Sequence, residues 1–105
     1  MAAPYNPPVK NEDFIIYVAF EDNANPGSFK SNPTLAIGDV KVTIDGGALS
    51  NISTSPLVGP ASSIWVKLNL AASEMNGDVI GVQCIDQTSP KEWLDLAFAI
   101  PTTAS

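Results

Sequence analysis

Carboxylates are the only abundant reactive side chains in this sequence. Glu12-Asp13, Glu21-Asp22, Asp45, Asp78 and Asp86 fall at the ends of apolar runs and in turns. Acids placed in this way can gather at one pole of a β-sandwich and hold a hard cation such as Ca²⁺ through oxygen ligands. Neither EF-hand spacing nor an Asp-x-Asp-x-Asp run is present, so turn-forming, solubilising acids are the simpler reading. Two acids facing each other across a cleft would make a glycosidase pair. A small sandwich with few aromatic residues offers a sugar little to bind against.

Other chemistry is excluded by residue type. The chain has no His, and its five basic residues are all lysines: Lys10, Lys30, Lys41, Lys67 and Lys91. Imidazole acid–base catalysis, His-based triads and His-ligated metals are therefore ruled out. So is a bidentate guanidinium clamp for phosphate or carboxylate. Cys84 is the single cysteine, so no internal disulfide or thiolate zinc site is possible. It reads as a small apolar strand residue in a protein assembled under reducing conditions. Gly46-Gly47 lacks the Gly-Lys-Ser/Thr of a phosphate loop, and no helix follows it. Neither catalytic residues nor a cofactor or metal site is expected.

Length and charge narrow the class further. One hundred and five residues make one domain. The net charge of −6 and pI near 4.1 argue against nucleic-acid and anionic-membrane partners, which need a basic footprint. Charged residues are only 15%, against a usual level of about 25%. A small domain this sparsely charged is often partly covered by something else. The start, Met1-Ala-Ala-Pro-Tyr5, lacks the basic and apolar regions of a signal peptide. The longest apolar run, Phe14–Phe20, is too short to span a bilayer.

The elements that must position these residues are strands. Residues 1–13 hold Pro4, Pro7 and Pro8 and read as an extended arm, either a loose terminus or a segment docking on a neighbour. Phe14–Phe20 is continuously apolar and reads as a buried strand. Asp39–Asp45 alternates, with Val40, Val42 and Ile44 on one face. Asp45-Gly46-Gly47 closes a hairpin onto a short return strand, Ala48–Ile52. Residues 53–63 read as loop. Ile64–Leu70 alternates, with Ile64, Val66, Leu68 and Leu70 inward and Trp65 outward. Ser73-Glu-Met-Asn-Gly77 reads as one helical turn capped by Ser73. Val79–Ile85 is apolar throughout and so central. Trp93–Ile100 closes the series, with Leu94, Leu96, Phe98 and Ile100 on one face and Trp93 off it. The fold class is all-β: a single antiparallel β-sandwich over residues 14–100, immunoglobulin-like in layout, followed by a polar tail at 101–105.

Trp65 and Trp93, each set off its strand's aliphatic face, are candidate interaction residues, because tryptophan buries much area at little entropy cost. The alternative is that they cover a sheet edge or the core of the second sheet. Tyr5 and Val9 are candidate anchors on the arm.

Gly38-Asp-Val-Lys-Val-Thr-Ile-Asp-Gly-Gly-Ala-Leu-Ser-Asn-Ile52, then Pro56, then Leu68-Asn-Leu-Ala-Ala-Ser-Glu-Met-Asn-Gly-Asp-Val-Ile-Gly-Val-Gln-Cys-Ile-Asp86, form a hairpin, a corner and a strand. Together with the acidic turn and Glu-Trp of Asp86–Trp93, this pattern resembles small structural proteins of tailed bacteriophages, over roughly Asn32 to Ile100. The resemblance implies a virion β module assembled in the host cytoplasm, and it brings no catalytic residues. It implies an accessory part of tail or neck, in fibre or adaptor assembly, or else a capsid decoration protein. The implied partners are other virion proteins and copies of itself. A glycan- or host-surface-binding module is the reading of another class, with Trp65 as its one candidate contact.

Overall fold

The computed structural model describes residues 7–104. Its strands are β1 (Phe14–Ala19), β2 (Val40–Ile44), β3 (Ser50–Asn51), β4 (Leu57–Val58), β5 (Trp65–Leu70), β6 (Val79–Cys84) and β7 (Leu96–Pro101). They form a three-stranded sheet, β1-β5-β4, and a four-stranded sheet, β3-β2-β6-β7, both antiparallel. With β1, β4 and β5 in the places of strands B, D and E, and β2, β3, β6 and β7 in those of C, C′, F and G, the order is that of an immunoglobulin sandwich without strand A. The expected fold class holds.

The core follows the alternation. Val40 and Val42 of β2, Val66, Leu68 and Leu70 of β5, and Ile80, Val82 and Cys84 of β6 are buried between the sheets. β6 lies between β2 and β7, which explains its nearly unbroken apolar sequence. The turn after β2 places Asp45 at φ 51° and Gly46 at φ 80°, with Gly47 N–H donating to the Ile44 carbonyl at 2.9 Å. Two consecutive positive φ angles define a type I′ turn, whose twist suits a hairpin.

Several expectations are corrected. β1 is an edge strand and half-exposed: Val18 is buried, while Ile15 and Tyr17 face solvent. The stretch 53–63 contains β4, only two residues long and fixed by its pairing to β5. The helical turn is 3-10, over Ala72–Met75, and Ser73 does not cap it. Instead the Asp13 carboxylate accepts the Ala72 N–H at 2.8 Å, and Glu74 accepts the Ala71 and Ser53 N–H groups, both at 2.7 Å. Regular pairing of the last strand begins at Leu96, not Trp93.

Candidate interaction surface

Pairing register builds a surface on the outer face of the three-stranded sheet. Tyr17 of β1 lies opposite Lys67 of β5, which in turn lies opposite Leu57 of β4. One row along, Ile15 faces Asn69, and Ala19 faces Trp65. Because strand side chains alternate, burying Val66, Leu68 and Leu70 forces Trp65, Lys67 and Asn69 outward. Leu57 is 59% exposed, Tyr17 51%, Ile15 48% and Trp65 47%. Gly59 N–H donates to the Trp65 carbonyl at 3.0 Å, bringing Gly59-Pro60 alongside the indole. The result is a shallow open groove of about 690 Å³ lined by Tyr17, Leu57, Val58, Gly59, Pro60, Trp65 and Lys67. Lys67 supplies its only charge. A smaller hollow of about 180 Å³ lies on the four-stranded sheet, against Thr43, Leu49, Gln83 and Phe98. No carboxylate lines either.

The acids are engaged elsewhere. Asp13, Glu21, Asp22, Asp39, Asp45, Glu74, Asp86 and Glu92 each accept at least one backbone N–H. Asp78 and Asp95 pair with Lys10 and Lys91. With so few cations in the chain, its loops use carboxylates to satisfy their own amides. Asp39 ties Ala36 to Gln87, and Asp45 binds the N–H groups of Asp78 and Val79 at the start of β6. Among the described residues no group of three or more metal-ligating side chains converges.

Asp86 has the densest set of partners. Its Oδ1 accepts Thr88 N–H at 2.9 Å and the Thr88 hydroxyl at 2.6 Å; its Oδ2 accepts Glu92 N–H at 2.7 Å and Trp93 N–H at 3.4 Å. Burial opposes its ionisation, but these hydrogen bonds outweigh burial and hold the carboxyl below the usual carboxylate range. Cys84 behaves oppositely. Burial, followed by the negative charge of Asp39, pushes its thiol up to about 12. It is an inert core residue.

The four sequence candidates separate. Trp65 lies on the surface as expected. Trp93 does not: it is fully buried, stacked on Phe20 with ring centroids 4.0 Å apart and planes 12° from parallel. Its indole N–H donates to the Thr34 carbonyl at 3.3 Å. The β7 alternation cannot be extended back to it, because Leu94-Asp95 is irregular and Asp86 fixes the backbone at Glu92 and Trp93. Val9 is half-buried, and its backbone is tied to the C-terminal segment. It bridges in parallel to Thr103 of its own chain, with Lys10 N–H donating to the Thr103 carbonyl and Thr103 N–H to that of Pro8. Tyr5 lies outside the described residues. Ile15, Tyr17 and Leu57 are surface members that sequence reasoning missed. For Ile15 and Tyr17 the unbroken apolar run of β1 was the signal, since an edge strand without polar alternation leaves apolar groups outside; Leu57, on the two-residue β4, carried none.

Comparison with known proteins returns no matching family model, no matching curated protein and no matching solved structure.

Proposed function

We propose that this chain is a non-enzymatic structural module of a tailed-bacteriophage particle, an accessory part of the tail or neck that joins neighbours in fibre or adaptor assembly. The observation that carries an assembly role is the apolar outer face of β1-β5-β4, with Ile15, Tyr17, Leu57 and Trp65 each about half exposed. Aromatic and aliphatic side chains grouped in this way are characteristic of contact surfaces, whereas scattered single ones are not. The resemblance over Asn32–Ile100 supplies the kind of particle. Its motif residues serve the fold: Asp45-Gly46 makes the type I′ turn, and Glu74-Met75 forms the corner. Eight of the eleven acids are occupied with backbone amides, which fits a role without catalysis.

Cryo-EM of gradient-purified particles from a producing culture tests the reading. The expected result is sandwich-shaped density at tail or neck, in fixed stoichiometry. Density over the capsid lattice would favour the decoration role, and absence of the chain from purified particles would overturn the virion reading. Trp65 and Tyr17 flanking Lys67 also suit stacking on a sugar ring. Saturation-transfer NMR with a panel of host glycans checks that second reading.

A further inference from the structure

We propose that the Tyr17–Trp65 groove receives the Pro4-Tyr5-Asn6-Pro7 segment of a second copy of this chain. The inference rests on the assembly reading above and names the occupant of its surface. The groove wall is Trp65, Tyr17, Pro60 and Leu57, with the Lys67 ammonium between them. Aromatic-lined grooves of this kind take polyproline II segments, whose fixed φ lowers the entropy lost on docking. Pro4-Tyr5-Asn6-Pro7 is a Pro-x-x-Pro sequence with an aromatic residue between its prolines, and its side chains carry no charge. Polyproline II backbone carbonyls have no internal partner. Lys67 can donate to one, because among the described residues it has no carboxylate in ion-pair range.

Patch size favours a peptide over a folded domain. The four exposed residues offer roughly 450 Å², in the middle of the range for a monomer's largest apolar patch. That is about half of the roughly 800 Å² each partner brings to a stable domain–domain interface.

Reach requires a second copy. The arm is pinned at Pro8–Lys10 to Thr103, which follows β7 on the four-stranded sheet, and Asn11 N–H donates to the Met75 carbonyl at the corner after β5. Trp65 lies at the other end of β5, opposite Ala19, on the outer face of the other sheet. From the Phe14 end, β1 alone covers about 17 Å, and the sheets are about 10 Å apart. Pro4 to Pro8 spans only about 12 Å as polyproline II. The segment therefore cannot enter its own groove. The arm of one copy and the groove of another are different surfaces, so the contact either closes by reciprocal arm exchange in a dimer or propagates into rings or chains.

The test uses the full chain carrying Pro4→Ala, Tyr5→Ala and Pro7→Ala, titrated with a synthetic peptide of residues 1–10 and followed by ¹⁵N NMR. The expected result is a shift of the Trp65 indole and of the Tyr17 and Leu57 amides. Affinity should fall at least about tenfold when the peptide carries the same alanines, or the chain carries Trp65→Ala. Wild-type chain should also self-associate with concentration where the triple variant does not. No shift, shifts confined to other surfaces, or equal binding of the alanine peptide overturns the proposal, and the mapping on Trp65-intact protein keeps that outcome readable if Trp65→Ala unfolds. A peptide that fails to bind, with the chain still present in purified particles, removes the arm as occupant and leaves the assembly reading standing. A peptide that binds, with the chain absent from particles, removes the virion reading alone.

Discussion

Replacing Asp86 by Asn should loosen the corner that seats Trp93. The substitution conserves shape but turns one carboxylate oxygen into an NH₂ group. If that group occupies the Oδ2 position, the N–H groups of Glu92 and Trp93 face a donor. If it occupies Oδ1, the Thr88 N–H and hydroxyl do. Hydrogen bonds to a charged group contribute about 1.5–3 kcal/mol each, and the 3.4 Å bond to Trp93 belongs at or below the low end. The expected loss is about 3 kcal/mol, a large part of a stability of roughly 5–15 kcal/mol. At about 4–8 °C per kcal/mol for a domain near this size, the melting midpoint should fall by at least about 12 °C. Near-UV circular dichroism, dominated by buried Trp93, follows the transition. Asp95→Asn, at an exposed pair with Lys91, is the control and should stay within about 0.5 kcal/mol. The difference must also depend on pH. A carboxyl depressed on folding contributes its full stability above the unfolded value of about 3.9, and loses it as pH falls through the folded value. The gap between wild type and Asp86→Asn should therefore be full at pH 6 and narrow below about pH 4. Equal midpoints at pH 6, or a gap that does not change on acidification, would refute the reasoning.

Further outcomes follow from the same packing. Cys84, with its thiol at about 12, should resist thiol reagents at pH 8 in the folded chain and react at once in denaturant; rapid native labelling would contradict its burial. Gly77→Ala should destabilise by about 1–3 kcal/mol in urea unfolding, because the new methyl would collide with Ile44 Cγ2 and lie 2.9 Å from Asp45 Oδ2. Trp93→Ala should cost about 3–5 kcal/mol by emptying the Phe20 stack, whereas Trp65→Ala should cost under about 1 kcal/mol; chemical denaturation separates them, and similar losses would show that the two indoles are not inside and outside as described.

Period-two alternation made two of the strands directly legible. At Val40–Ile44 and Trp65–Leu70 it assigned both strands and their inward faces, and Asp45-Gly46 chose its own turn because a type I′ geometry needs residues that tolerate positive φ. The absence of His and Arg excluded imidazole and guanidinium chemistry by residue type alone. Tertiary structure decided the rest, through contacts distant in the chain. β4 is too short to carry a pattern and exists because β5 pairs with it. The cap of the Ala72–Met75 turn comes from Asp13, 59 residues away. Trp93 lost its phase with β7 at the irregular Leu94-Asp95 and turned inward onto Phe20, where the Asp86 carboxylate holds its backbone. The groove likewise belongs to no single segment. Tyr17, Leu57 and Trp65 become neighbours only when β1 and β4 pair with opposite sides of β5, and local sequence does not encode which strands share a sheet.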